Sequence, residues 1–209
     1  MSGKNDIVLV GYSGHGFVVA EAAIEAKLIP FFYTDKKKSD FDPFELSYIG
    51  FDGDADFIGW DRGYQFILGI GDNKIRESIA LKLLLRGETV LNVIHPDSSL
   101  SKNIQIGCGV FISRNVSVNS FAELGDYTIL NTGSIVEHEC KLGSAVHIAP
   151  GAVLAGNVEV GDRSFIGANA VVKQGVKIGK DVIVGAGSVV INDVSDGKKL
   201  VGNPAKEIK

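Results

Sequence analysis

The chain has 209 residues, 45% hydrophobic and 22% charged: enough apolar material for one large domain or two small ones, and too much for a disordered chain. Its formal charge of −4 excludes the strongly basic surface of nucleic-acid binders and of polybasic membrane anchors. Glycine is about one residue in eight (26 in all) while proline numbers only 5, which points to frequent tight corners rather than to a flexible linker.

Met1 to Asp6 leads directly into the apolar run Ile7 to Val10, too short for a signal-peptide core, and no apolar run reaches the ~18 residues of a membrane span. Two cysteines, Cys108 and Cys140, make no disulfide framework. A soluble cytoplasmic protein is expected, with neither nucleic acid nor membrane as partner.

Residues 1–93 read as a small α/β, Rossmann-like domain. Ile7 to Val10 is a buried strand ending in the turn Gly11-Tyr12-Ser13-Gly14-His15-Gly16, and a helical pattern runs through Phe17 to Ile24. Phe31 to Tyr33 is a second strand ending at Asp35. Residues 36–62 are polar and poorly periodic, loop with a short strand. Phe66 to Leu68 is a third strand ending in Gly69-Ile70-Gly71. Residues 74–86 carry Ile75, Ile79, Leu83 and Leu84 at helical spacing, and Thr89 to Ile94 reads as one further strand. Strand and helix in alternation argue for a parallel sheet.

Residues 94–209 follow a different rule. Every sixth residue from Ile94 to Val190 is Ile, Leu or Val, seventeen in succession, and the residue four later is mostly small or β-branched, from Ala122 to Ser188. A period of six is neither helical nor that of a plain strand. It fits short flat faces joined by repeated corners, a β-solenoid with three hexads per coil and five to six coils. The pattern resembles the hexapeptide-repeat superfamily of acyltransferases, and that resemblance implies a left-handed parallel β-helix.

Four histidines are candidate bases. His95 precedes Pro96 and reads as structural. His138 lies two residues after the inward Val136, so it projects from a corner; Glu139 follows it, and Gly156, one coil on, leaves space beside it. His147 points outwards. Ala168 and Ala186, 18 residues apart, stack in one column beside Gly167, Gly185 and Gly187, a smooth ladder suited either to coil stacking or to a thin ligand. His138 and Ala168 fall on different corners of a triangular prism, roughly 15–20 Å apart. A base and a thioester so separated react only if a neighbouring copy supplies one of them, so a homotrimer with active sites between subunits is expected. Cys140 takes an inward position and Cys108 has no neighbouring base, which leaves no evident nucleophile. His138 and His147, on different sides, make no metal site.

The segment Asn131 to Cys140 resembles the catalytic stretch of the nucleotide-linked amino-sugar N-acetyltransferases, a group similar to sialic-acid O-acetyltransferases. His147 to Gly151 and Val201 to Lys206 resemble its acetyl-CoA-binding segments. The resemblance implies His138 as general base supported by Glu139, with His147, Ala168 and Ala186 contacting acetyl-CoA and Asn131 near the sugar. It assigns Ser13, Gly14, His15, Asp35, Lys36 and Gly71 to the nucleotide sugar. A glycine turn opening a helix suits phosphate, although its Gly-x-x-Gly-x-Gly spacing departs from the dinucleotide pattern.

The expected activity is acetyl transfer from acetyl-CoA to the C4 amine of a nucleotide-linked 4-amino-4,6-dideoxy sugar, in cell-surface polysaccharide biosynthesis. Sugar O-acetylation, a non-catalytic nucleotide-sugar-binding partner protein and a nicotinamide-dependent oxidoreductase are the alternatives.

Overall fold

The computed structural model describes residues 6–54, 56–60 and 62–208. The chain divides between Pro96 and Asp97 into two compact units, so that Ile94, His95 and Pro96 go with the first unit although the hexad register already runs through Ile94.

The first unit opens with β1 (Ile7–Val10), whose four residues are all buried, and α1 (Gly14–Glu25). There follow β2 (Pro30–Thr34), β3 (Ser47–Tyr48), β4 (Gln65–Leu68), α2 (Asn73–Leu85), β5 (Thr89–Val90) and β6 (Val93–Ile94). Five strands form one sheet in the order β3-β2-β1-β4-β5, and every pair in it is parallel. Strand order reverses between β1 and β4, and in open parallel sheets ligands bind beyond the carboxyl ends of the strands at such a reversal.

Glycine permits the close packing there. Gly11 adopts φ 88°, and a Cβ on Gly16 or Gly69 would lie 2.2 or 2.4 Å from its carbonyl oxygen. These two glycines let α1 and the end of β4 meet the turn backbone to backbone. Gly14 differs: a Cβ there would meet nothing within 4 Å.

One expectation needs correction. Thr89 to Ile94 is not one strand: after Leu91 N–H donates to Phe66 O the chain leaves the sheet, and β6 is separate. The buried face of α2 is Arg76, Ala80 and Leu83, whereas Ile75 and Leu84 are exposed. Ile75 and Ile79, at helical spacing with Leu83, line an open cavity.

The second unit is a parallel β-solenoid of two-residue strands. One face stacks Ser99–Leu100, Ser117–Val118, Ile135–Val136, Val153–Leu154, Val171–Val172 and Val189–Val190. The second runs from Gln105–Ile106 to Lys177–Ile178. The third runs from Phe111–Ile112 to Ile183–Val184, continues into Lys199–Val201, and is closed by the antiparallel Lys206–Glu207. Each strand pairs with residues 18 away through most of the stack. The hexad aliphatics from Ile112 to Val190 are buried, as are the small residues from Ala122 to Ser188. They form one continuous apolar filling.

The corners share one device. Every sixth residue from Gly109 to Gly187, fourteen positions, has a left-handed backbone with φ between 53° and 73°. Five are glycine and three asparagine, which tolerate that conformation. The others, Phe121, Tyr127, Glu139, Ala145, Arg163 and Asp181, hold it because the stacked coils on either side impose it.

Candidate active site

In the first unit a cavity of about 200 Å³ opens at the carboxyl ends of β1, β2 and β4, and Ser13, His15, Asp35, Lys36 and Gly71 all line it. Gly14 lines an adjoining cavity of about 500 Å³, together with Ser13, Asp35 and Phe41. All six residues assigned by resemblance to the nucleotide sugar therefore border these two cavities.

The local chemistry suits an anion. Ser13 precedes the first turn of α1, and its side chain makes no capping bond, so first-turn amides without intrahelical partners face this end. By contrast, Asp72 caps α2 by accepting from Ile75 N–H at 2.9 Å. Arg76 is buried, and its guanidinium donates to the carbonyls of Ile70 and Gly71 at 3.2 and 3.0 Å and to Asn73 Oδ1 at 2.9 Å. It braces the turn after β4 and brings a positive charge beneath the cavity. Burial lowers its pKa to about 10. Burial, and then the charge of Arg76, lower His15 to about 4, so His15 stays neutral near pH 7. Sequence reasoning missed Arg76, because an arginine inside a helix reads as a solvated side chain.

Asp35 is fixed in place: Oδ2 accepts from Tyr12 N–H at 2.8 Å and Oδ1 from Lys36 N–H at 2.7 Å. The loop after it is tied back by the Tyr12 hydroxyl, which donates to Asp42 at 2.5 Å and accepts from Phe44 N–H. Burial, reinforced by Asp42, raises the Tyr12 phenol above its ordinary range.

On the solenoid, His138 and Glu139 occupy the corner after Ile135–Val136. His138 Nδ1 lies 3.0 Å from Glu139 Oε2, and both side chains are more than half exposed. With the proton on Nδ1 donated to Glu139, Nε2 keeps its lone pair. The imidazole lies over Gly156, where a Cβ would come within 2.5 Å of Cε1 and Nε2. The space that the sequence left beside the ring is thus used by the ring itself.

Ala168 and Ala186 lie after Phe165–Ile166 and Ile183–Val184, on the edge between the third and first faces. They stack directly: Gly187 N–H donates to Ala168 O at 2.8 Å, and Gly167 has the backbone of Gly185 and Ala186 where a Cβ would be. The tail continues this edge, with Val189 N–H donating to Gly202 O and Ala205 N–H to Val189 O. His138, by contrast, lies on the edge between the first and second faces, a full face away.

His147 takes the outward position of its strand but is only 8% exposed. Its ring packs edge-on against Phe165, with centroids 5.0 Å apart, and Nε2 is 3.2 Å from Asn131 Nδ2. Asn131 Oδ1 accepts from Thr132 N–H at 2.8 Å. Asn131 and His147, given separate tasks by resemblance, touch one another. Cys140 is buried with Sγ against Ala155 O, and burial raises both its thiol and that of Cys108. Among the described residues no group of three His, Cys, Asp or Glu is placed to hold a metal ion, and no helix is long and apolar enough to cross a membrane.

Both units resemble known proteins. The PglD N-terminal domain family matches residues 6–83, and the hexapeptide repeat of succinyl-transferase matches residues 157–191. PerB of Caulobacter crescentus, solved with CoA and GDP-perosamine, is 35% identical with a TM-score of 0.91, over 98% of this chain and 97% of its own. The acetyltransferase domain of PglB from Neisseria gonorrhoeae is 31% identical with a TM-score of 0.89, over 99% of this chain and 100% of its own. A GDP-perosamine N-acetyltransferase of Escherichia coli O157:H7 is 37% identical over 77 residues, a stretch spanning 35% of that protein. With likeness of this order across both units, the chain belongs to the left-handed β-helix, hexapeptide-repeat family of acetyl-CoA-dependent sugar N-acetyltransferases.

Proposed function

We propose that this protein transfers an acetyl group from acetyl-CoA to the C4 amine of a nucleotide-linked 4-amino-4,6-dideoxy sugar in the cytoplasm. The observation that carries this reading is the His138 Nδ1–Glu139 Oε2 contact of 3.0 Å, with Nε2 left over the bare Gly156. Nε2 accepts a proton as the amine attacks the thioester carbonyl, and Glu139 orients the ring and stabilises the imidazolium that forms. The tetrahedral intermediate then collapses with loss of the CoA thiolate. Both cysteines are held as thiols by burial, which supports direct transfer over a covalent acetyl-enzyme. The likeness to PerB, solved with CoA and GDP-perosamine, supports the substrate class.

Ser13, Gly14, His15, Asp35, Lys36 and Gly71 hold the nucleotide. His147, Ala168, Ala186 and the 201–206 tail hold acetyl-CoA along one solenoid edge, with Asn131 beside the sugar. Because His138 stands on another edge, roughly 15–20 Å away across one face, the active site is completed by a neighbouring copy in a homotrimer. His138→Ala is expected to lower turnover about 10²-fold or more while nucleotide-sugar binding persists. Near-normal turnover would reject the assignment. Sugar O-acetylation uses the same base; steady-state assays with an amine and a hydroxyl acceptor on the same nucleotide separate the two.

A further inference from the structure

We propose that Asp52 makes the base slot of the nucleotide cavity selective for guanine. This rests on the reading of that cavity as the nucleotide site. The cavity of about 200 Å³ has room for one purine but not for a whole nucleotide, and Phe51, Ile75 and Ile79 give it apolar walls. Ile75 is 52% exposed, an apolar helix residue turned to the opening instead of the core. Such walls suit the flat faces of a base, whereas the α1 start at Ser13 suits phosphate.

Asp52 is the buried anion of this cavity. Its side chain is 7% exposed, with Oδ2 3.1 Å from Lys82 Nζ. Its backbone is held as well: Asp52 N–H donates to Thr34 Oγ1 at 3.1 Å, and that hydroxyl donates to Gly50 O at 2.8 Å. Lys82 is itself pinned, with its ammonium over the Trp60 ring at 5.1 Å and bonded to the Asp52 carbonyl. One carboxylate oxygen is thus committed, while Oδ1 accepts no hydrogen bond among the described residues. Asp35, the other carboxylate of the cavity, has both oxygens occupied by backbone amides.

A fixed, buried carboxylate with an unused oxygen calls for N–H donors. Guanine alone among the common bases offers two adjacent donors, N1–H and the N2 amino group, which one carboxylate meets in bidentate fashion, here through the unused Oδ1 and the second lone pair of the Lys82-paired Oδ2. Uracil and thymine offer one N–H flanked by two carbonyls that the carboxylate repels. Adenine and cytosine set a ring-nitrogen acceptor beside their amino group.

Isothermal titration of the full chain with GDP, UDP, dTDP, ADP and CDP tests this without needing turnover. GDP is expected to bind at least about 10-fold more tightly than the other four. In Asp52→Asn that preference should shrink about 10-fold while the other nucleotides change little. UDP or dTDP binding the native protein as tightly as GDP would overturn the inference and leave the nucleotide site standing. So would a GDP preference unchanged in Asp52→Asn. Binding of none of the five would overturn the nucleotide reading of the cavity as well. Should Asp52→Asn fail to fold, the native panel decides alone.

Discussion

Glu139 holds a left-handed backbone, φ 60°, and still brings Oε2 within 3.0 Å of His138 Nδ1. A non-glycine residue in that conformation costs about 1–2 kcal/mol, and five of the fourteen equivalent corners are glycine. Nine of the fourteen corners carry a non-glycine residue, and Glu139 is the one next to the proposed base. Glu139→Gly is therefore expected to melt no lower than the native protein, with a gain of up to about 1 kcal/mol. Its turnover should fall about 10-fold or more. Calorimetry paired with steady-state kinetics checks both directions at once, since a merely structural Glu139 would move only the first.

Gly156 gives a second handle on the same ring. A Cβ added there would lie 2.5 Å from Cε1 and Nε2 of His138. The imidazole is half exposed and can swing aside, so Gly156→Ala should leave the melting temperature within a few degrees of native. Turnover should drop about 10-fold or more through displacement of Nε2. Thermal melts beside initial-rate assays measure this.

Acid should weaken the first unit through His15. Its pKa of about 4 lies below the ordinary 6.5, so the unfolded chain binds that proton more readily than the folded one. The associated stability is complete above pH 6.5 and is lost as pH falls toward 4. Urea unfolding at pH 7 and pH 4.5 should show His15→Asn losing about 2 kcal/mol less than the native protein over that interval.

The repeat makes unequal demands on its residues. Leu130 and Leu154 are fully buried, and replacing either by alanine should cost about 2–5 kcal/mol. Lys141 lies on the outside in an exposed pair with Glu123 at 3.4 Å, and Lys141→Ala should stay within about 0.5 kcal/mol. Chemical denaturation of the three variants checks the contrast.

The solenoid was legible because its filling is chemically uniform: every hexad from Ile94 to Val190 begins with Ile, Leu or Val. The left-handed corners were not, since Phe121, Tyr127, Ala145 and Arg163 share that conformation with glycine and asparagine, and side-chain chemistry gives no common sign of it. In the first unit the strands and the cavity-lining turn were visible as apolar runs ending in glycine. Arg76 was hidden because only the fold shows that it faces inward to the carbonyls of Ile70 and Gly71. Asp52 was hidden because it lies in an aperiodic loop. The helical spacing of Ile75 and Ile79 was visible, but spacing alone does not show that these two side chains line a cavity.

The separation of His138 from the Ala168–Ala186 ladder bears most directly on how the enzyme is assembled. His138→Ala and Ala186→Trp, each inactive alone, can be co-expressed in equal amounts and purified as mixed oligomers. If one copy's imidazole serves the ladder of the next, about a quarter of the sites draw both intact parts, and activity near a quarter of native should return. Mixed oligomers as inactive as their parents would contradict an active site shared between subunits.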